Sequence, residues 1–309
     1  MGSIFVVVVL GMNLFITTQG FAKISMLTTV IGAVINIILD PVFIFVFDMG
    51  VKGAAFATVL SQITVTFIFI YVFWKMGYRI NKKSCKYLDR DSAKEIIKWG
   101  TPSAAQNCLF SFFAMLIGRI IAAWGATPIA VQKVGSQIES ISWMTADGFS
   151  AALTAFVGQN YGAGQIKRCR KVLILCIVED AIATACAIVL ILLTGKALLS
   201  IFNNDPEVIS VGYTRLIMVF SAYTFSMLYE NMSGYMRGFG FSLIPAIVTT
   251  LGICGVRIFW IMAVFPSHKT FAGILTAYPV SLSVTALLIF LVLVIYHPSK
   301  RFQTDKGEM

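Results

Sequence analysis

Asn36 and Asp40 place an amide and a carboxylate inside the otherwise apolar stretch NIILDPVFIF. Residues four apart lie one turn above each other on a helix, with side chains about 6 Å apart, so both can reach one ligand. Pro41 has no amide hydrogen and clashes with the carbonyl of Ile37, which predicts a kink in that helix. Thr58 lies at a matching depth on the next apolar stretch. We predict that Asn36, Asp40 and Thr58 form a cation-binding site.

The chemistry of this site follows from the position of Asp40 within a membrane segment. An aspartate at the centre of a membrane helix costs about 2.5–3.5 kcal/mol, so an intramembrane acid is by default a candidate functional residue. Its carboxylate can take up a proton or a small cation and release it when its surroundings change. Na+ at Asp40 is the only metal ion that we predict. The alternative is a structural aspartate that hydrogen-bonds neighbouring amides and stabilises the end of a proline-kinked helix.

A second polar set lies on one face of the apolar segment 128–157. Its members recur at intervals of three and four residues, which is the period of a helix face. They are Gln132, Ser136, Glu139, Trp143 and Asp147. A helix surrounded by lipid would not carry such a face. We therefore predict that it lines a substrate cavity, and the alternative is a face that packs against a charge in a salt-bridged structure.

Charged residues in the apolar segments should have partners, because an isolated charge in hydrocarbon is costly. Arg119 or Lys133 is expected to neutralise Glu139. Arg257 lies in the middle of a predicted span, and Glu230 is one candidate for its partner.

The composition excludes a water-soluble protein. Of the 309 residues, 58% are hydrophobic and only 12% are charged, and the mean hydropathy is +0.85. The formal net charge of +10 comes from Lys and Arg residues in a few short loops rather than interleaved with aromatic residues, so no nucleic-acid partner is predicted. The sequence contains no Cys-x-x-Cys pair and no Ser/His/Asp constellation. We therefore predict neither an enzyme nor a cofactor site.

Apolar segments of roughly 17 to 30 residues recur along the chain, and each is long enough to cross a hydrocarbon core of about 30 Å. They are far longer than the strands of a membrane barrel, so we predict an all-α polytopic membrane protein with about nine transmembrane helices. These lie at about 3–18, 24–47, 51–76, 99–124, 128–157, 171–200, 208–231, 240–265 and 271–297. The connections 75–98 and 158–171 are rich in Lys and Arg, which predicts that both, and the carboxyl terminus, are cytoplasmic.

Two stretches of the chain resemble each other. NLFITTQGF at 13–21 and NMSGYMRGF at 231–239 share Asn, Gly and Phe in register, 218 residues apart. Such identities arise by chance in a low-complexity apolar chain, or they mark an internal repeat. A repeat would make helices one to three equivalent to helices seven to nine, with about three helices missing from the amino end of a twelve-helix transporter built from two halves.

Together with these two stretches, NIILDPVFIF, GVKGAAFAT and VGSQIESISWMTADGFSAALTAFVGQNYGAG resemble the multidrug and toxic compound extrusion (MATE) family, closest to its bacterial branch. The motifs occur in the order of the family over essentially the whole chain. The resemblance implies a fold of twelve helices in two six-helix lobes around a central cavity. It also implies export of amphipathic, often cationic compounds in exchange for protons or sodium ions, without a cofactor.

The resemblance further implies a division of the chain. Its parts would be the remainder of the amino-terminal lobe with helices four to six of the family at 1–76, a cytoplasmic basic linker at 77–98, the carboxyl-terminal six-helix lobe at 99–297 and a cytoplasmic tail at 298–309. Asn36, Asp40 and Thr58 match members of the amino-lobe cation site of the family, whose further acid lies on a first helix that this chain does not contain. Glu139 lies in the cavity helix of the carboxyl lobe.

We therefore predict a secondary active multidrug exporter. It would be a monomer in the bacterial cytoplasmic membrane that binds small amphipathic cations and contacts membrane lipid. One alternative is a flippase for lipid-linked sugars of the same superfamily, which would have a more strongly basic central cavity. The other alternative is a truncated fragment that does not transport.

Overall fold

The computed structural model describes residues 3–77, 90–265 and 270–298, and of Ser3, Phe271 and Ala272 only the backbone. Every regular element in these ranges is helical, which confirms the predicted all-α class. The helices are α1 (Ser3–Thr18), α2 (Ala22–Pro41), α3 (Gly50–Lys75), α4 (Arg90–Ala122), α5 (Ala126–Gly162), α6 (Ile166–Phe202), α7 (Pro206–Phe220), α8 (Tyr223–Gly238), α9 (Leu243–Thr250), α10 (Val256–Phe259), α11 (Phe271–Leu275) and α12 (Ala277–Tyr296). Three π-helical segments, Val42–Val46, Leu251–Gly255 and Trp260–Val264, continue α2, α9 and α10. Most of the predicted basic linker and of the predicted tail lies outside the described residues.

Six helical stretches among the described residues are long and apolar enough to cross a membrane. They are Ala22–Val46, Gly50–Lys75, Arg90–Ala122, Ile166–Phe202, Leu243–Val264 and Gly273–Tyr296. The pair α7 and α8, bent by 45°, is a seventh if it counts as one span. The span predicted at about 208–231 corresponds to this pair, but it is interrupted, because one helix ends at Phe220 and the next begins at Tyr223. The two residues between them, Ser221 and Ala222, are not the glycine or proline that breaks a helix in most sequences.

The other two predicted spans are helices of a different character. α1 is a shorter apolar helix. α5 has 37 residues and carries the charged side chains of Lys133, Glu139 and Asp147. Because charges in hydrocarbon are costly, such a helix needs protein or a polar cavity beside it.

Contacts between residues divide the chain into two compact units, Met1–Arg90 and Asp91–Met309. In the first unit α3 packs against α1 and α2. Its buried apolar core consists of Val9, Ile16, Val65 and Phe69. Asn13 on α1 donates a hydrogen bond to the hydroxyl of Thr29 on α2 at 3.0 Å, which adds a polar link between these helices. The predicted limits of the lobes, linker and tail stay a prediction.

In the second unit α5 is the central helix and packs against α6, α7 and α8. α5 and α8 approach closely because α8 presents glycines to α5. A side-chain carbon added at Gly238 would lie 2.6 Å from the Cβ atom of Val157. The hydroxyl of Thr154 donates a hydrogen bond to the carbonyl of Gly234 at 3.0 Å. Glycines four residues apart that admit a neighbouring helix are typical of membrane proteins, where close packing joins the helices.

We expect Gly238→Ala to destabilise the protein by about 1–3 kcal/mol, because the added methyl group forces α8 away from α5. Gly118→Ala on α4 is the matched control, since an added side-chain carbon there has no atom within 4 Å. Thermal unfolding of the detergent-solubilised protein measures both variants. Equal melting temperatures for the two would contradict the close contact between α5 and α8.

Candidate functional site

The structure brings together two of the three residues predicted to bind a cation. Asn36 and Asp40 lie one turn apart on α2, and Nδ2 of Asn36 donates a hydrogen bond to Oδ1 of Asp40 at 3.3 Å. Thr58 lies on α3, and its hydroxyl donates to the carbonyl of Ala54 on the same helix at 2.9 Å. Among the described residues, no hydrogen bond joins Thr58 to the other two. The role of all three in cation binding stays a prediction.

Pro41 ends α2, and the chain continues as the π-helical segment Val42–Val46. A proline removes one amide donor and crowds the preceding turn, and a π-helical turn is wider than an α-helical one. The structure thus shows a change of helix type behind Asp40. The predicted kink at Pro41 stays a prediction.

The second unit contains a cavity of about 580 Å³. Its wall is built from α4, α5, α7, α8, α10, α12 and the π-helical segment Leu251–Gly255. The aromatic side chains on the wall are Phe110, Phe113, Trp143, Tyr223, Tyr229 and Tyr278. Sites for drug-sized ligands typically have volumes of about 300–1,000 Å³ and mostly apolar walls with a few polar groups. This cavity has both properties.

Four of the five residues predicted to line a substrate cavity lie on this wall. Gln132, Ser136, Glu139 and Trp143 face it from α5. Asp147 is exposed and does not belong to the wall, although it continues the same helix face. The cavity therefore ends before the turn of α5 that carries Asp147. Substrate binding by these residues stays a prediction.

Glu139 is paired with an arginine that the sequence pattern did not single out. Oε1 of Glu139 lies 2.7 Å from Nη1 of Arg215 on α7, at ion-pair distance but without the alignment of a hydrogen bond. The expected partners, Arg119 and Lys133, both have exposed side chains. Lys133 lies six positions from Glu139 and therefore on another face of the helix. Arg215 itself could have been noticed in the sequence, because it is a charged residue within the apolar run of α7 and a charge there requires an acid nearby.

Arg215 is completely buried, with 0% of its side chain exposed. Gly135 makes room for it, because a side-chain carbon at this position would overlap the guanidinium. Nε of Arg215 donates a hydrogen bond to Oε1 of Gln132 at 3.1 Å. Residues 132–139 of α5 thus supply a carboxylate and an amide oxygen to the guanidinium of Arg215, and Gly135 leaves the space that the guanidinium occupies.

Gln132 extends this network to α12. Its Nε2 donates a hydrogen bond to the hydroxyl of Tyr278 at 3.3 Å. The guanidinium of Arg257 stacks on the ring of Tyr278, 4.2 Å from its centre, and Nε of Arg257 donates to the hydroxyl of Ser281 at 3.0 Å. A chain of polar contacts therefore follows the cavity wall from α7 over α5 and α12 to α10.

The candidate pair of Arg257 with Glu230 is wrong. Oε2 of Glu230 lies 3.2 Å from Nη2 of Arg237, two turns further along α8. The same Nη2 also donates to the hydroxyl of Ser150 on α5. Glu230 faces this local arginine because residues seven apart share a helix face. Arg257 therefore has no carboxylate partner among the described residues.

Tyr223 has a buried hydroxyl that forms no hydrogen bond within the described part of the chain. The residue lies at the start of α8 and belongs to the cavity wall. A buried polar group without a partner costs free energy in the folded state. Tyr223 thus belongs to the cavity wall, while its hydroxyl is buried and not exposed to the cavity.

We expect Glu139→Leu to destabilise the protein by about 3–5 kcal/mol, because it leaves Arg215 buried, charged and without its acid. Arg215→Met should cost less, since the remaining Glu139 is 18% exposed at the cavity wall and is therefore desolvated less than a completely buried charge. The double variant should recover much of the loss caused by Glu139→Leu. Melting temperatures of the three variants test the pair, and strictly additive losses would contradict it.

We expect Tyr223→Phe to leave the melting temperature unchanged or to raise it, because the variant removes a hydroxyl that has no partner. Tyr213→Phe is the matched control. The hydroxyl of Tyr213 donates to the carbonyl of Leu192 at 3.0 Å, and its loss should cost about 1 kcal/mol. A loss of stability in Tyr223→Phe as large as in Tyr213→Phe would show that Tyr223 has a partner.

Comparisons with known proteins agree with this architecture. The MatE family model matches residues 102–263, more than half of the chain. The chain is 30% identical over 243 residues to "Probable multidrug resistance protein NorM" of Thermotoga maritima, covering 77% of this chain and 52% of that protein. It is 27% identical over 288 residues to "Probable multidrug resistance protein YoeA" of Bacillus subtilis, covering 89% of this chain and 62% of that protein. The chain thus spans less than two thirds of the length of either relative.

Solved structures share the fold. "Crystal structure of MATE in complex with MaL6" superimposes with a TM-score of 0.87 at 21% identity, over 99% of this chain and 68% of that one. "Crystal structure of MATE in the bent conformation" gives a TM-score of 0.82 at 23% identity, over 98% of this chain and 68% of that one. These likenesses confirm the predicted MATE-type fold. The chain therefore belongs to the MatE family of transporters, and it is a multi-pass membrane protein rather than an enzyme.

Proposed function

We propose that the chain serves as a secondary active exporter, which moves amphipathic small molecules out across the bacterial cytoplasmic membrane in exchange for protons or sodium ions. The observation that carries this proposal is the cavity of about 580 Å³ in the second unit. Membership in the MatE family supports it, and the matched relatives carry names of multidrug resistance proteins.

The wall of the cavity suits compounds that combine rings with polar groups. Aromatic side chains accept many flat apolar shapes and, through their ring faces, also cations. Polar groups such as those of Gln132 and Ser136 can orient a ligand without fixing one shape. Cationic amphipathic compounds are the class that the resemblance to MATE proteins implies.

We propose Asn36 and Asp40 as the place where the driving ion binds. A carboxylate and an amide oxygen suit a proton as well as Na+, and Thr58 offers a further oxygen if it moves towards them. Export would then be driven by competition, because an ion and a substrate that favour different states of the protein displace each other.

The orientation in the membrane is a proposal as well. The first turns of α6, directly after the loop that joins it to α5, carry Lys167, Arg168, Arg170 and Lys171. Such basic residues at the end of a span remain in the cytoplasm. The carboxyl end lies on the same side if α6, the bent pair α7 and α8, the stretch Leu243–Val264 and α12 each cross the membrane once. We propose a monomer that is surrounded by lipid.

The alternative of a flippase for lipid-linked sugars gains no support from the cavity. Such a cargo carries several phosphate charges and would need a cluster of basic groups. Among the described residues of the wall, Arg257 is the only guanidinium.

We expect Asp40→Asn to abolish ion-driven dye export, because an amide of the same shape carries no negative charge to hold a proton or Na+. The test is export of a fluorescent dye from proteoliposomes that contain the full chain, driven by a pH gradient in one experiment and a Na+ gradient in another. Asp48→Asn is the matched control, because Asp48 lies in an exposed turn at a φ of 51° that Asn also tolerates. Export by Asp40→Asn at the rate of Asp48→Asn would remove Asp40 from the mechanism, and absence of gradient-driven export in both and in the unmodified chain would refute the proposed function.

A further inference from the structure

The only carboxylate on the described part of the cavity wall is already neutralised. Glu139 lies 2.7 Å from Arg215, whose side chain is completely buried behind the wall. A guanidinium does not lose its proton at any ordinary pH. A cationic ligand would therefore have to compete with a permanent, fixed charge for the same carboxylate.

Arg257, in contrast to Glu139, has no partner of opposite charge among the described residues. Its guanidinium lies on the wall, stacked on Tyr278 and held through Nε by Ser281. Neither of its Nη groups donates a hydrogen bond within the described ranges, and no carboxylate of these ranges lies at ion-pair distance. Glu230, the candidate partner that the sequence offered, is paired with Arg237. On the described wall, Glu139 is thus paired with Arg215 behind it, and Arg257 is a guanidinium without an acidic partner.

We propose that this cavity binds aromatic amphipathic compounds through an acidic group, a carboxylate or a sulfonate, that docks on Arg257. The inference names the substrate class of the proposed exporter and rests on that function only for the step of transport. It differs from the cationic class that the family resemblance implies, because it follows from the charges on the wall of this chain.

The geometry fits such a ligand in two ways. Stacking on Tyr278 fixes the plane of the guanidinium, so that both Nη groups are available as a fork for two oxygens of one acid. The rings of Phe110, Phe113 and Trp143 lie on the same wall and can pack against an aromatic ligand.

The test compares two dyes that differ only in the acidic group, a rhodamine with a free carboxylate and the ethyl ester of the same rhodamine. Binding of each to the full chain in nanodiscs of zwitterionic lipid is measured by fluorescence polarisation. We expect the carboxylate to bind about tenfold more tightly than the ester, because a charge-assisted bidentate contact forms only with the acid. Equal affinities, or tighter binding of the ester, would overturn the proposal without any variant.

Variants of Arg257 then test whether the carboxylate of the dye binds at this residue. Arg257→Gln should weaken binding of the carboxylate about tenfold and leave the ester almost unchanged, and Arg257→Lys should lie in between, because it keeps the charge and loses the fork. Arg168→Gln is the matched control, since Arg168 is an exposed arginine outside the cavity wall. An equal loss for both dyes in Arg257→Gln would overturn the assignment to Arg257.

The binding experiments on the dyes and the export experiments on the proposed function can fail independently of each other. Selective binding of the carboxylate without gradient-driven export would refute the exporter and keep the cavity assignment. Gradient-driven export of the ester, with binding of both dyes unaffected by Arg257→Gln, would refute the assignment and keep the exporter.

Discussion

A guanidinium, which keeps its proton, is buried inside the second unit, and its positive charge needs an acidic side chain in direct contact. Arg215 is completely buried and lies 2.7 Å from Glu139. Removing one member of such a pair leaves an unsolvated charge, which costs more than the pair itself contributes. This requirement holds α7 against α5 and leaves no space for a side chain at Gly135. It also orients Gln132, which accepts a hydrogen bond from Arg215 and donates one to Tyr278. The polar side of the cavity wall is built around this one charge.

α5 satisfies two demands at the same time. Its cavity face carries polar groups, which lipid would not tolerate, and another face meets the glycines of α8 at very short distance. The hydroxyls of Ser150 and Thr154 donate to carbonyl oxygens of α8. Close backbone contact and polar links replace the hydrophobic effect, which does not drive helices together in a membrane. The rigid seam between α5 and α8 thus positions the cavity face of α5.

Helix periodicity predicted the cavity face of α5 because a helix face is a local property of the chain. It could not predict that the cavity ends before Asp147, since its extent is set by other helices. The partner of Glu139 was equally out of reach, because spacing does not tell which distant arginine faces an acid. For the same reason the sequence placed Thr58 by depth alone, and among the described residues its hydroxyl bonds to Ala54 on its own helix rather than to Asp40. Hydropathy located the helices, but the interruption between α7 and α8 has no glycine or proline to announce it.

The unpaired charge of Arg257 at the cavity makes the protein sensitive to the membrane potential. Glu139 is paired with Arg215, so that Arg257 is the charge of the described wall that has no partner of opposite sign, and it lies among helices suited to cross the membrane. Moving one elementary charge through a potential of 100 mV changes the energy by about 2.3 kcal/mol. In the proposed exporter, a bound acid would cancel the charge of Arg257, and a bound cation would add a second positive charge. The charge of the transported compound would therefore decide whether the membrane voltage acts mainly on the protein without substrate or on the protein with substrate bound.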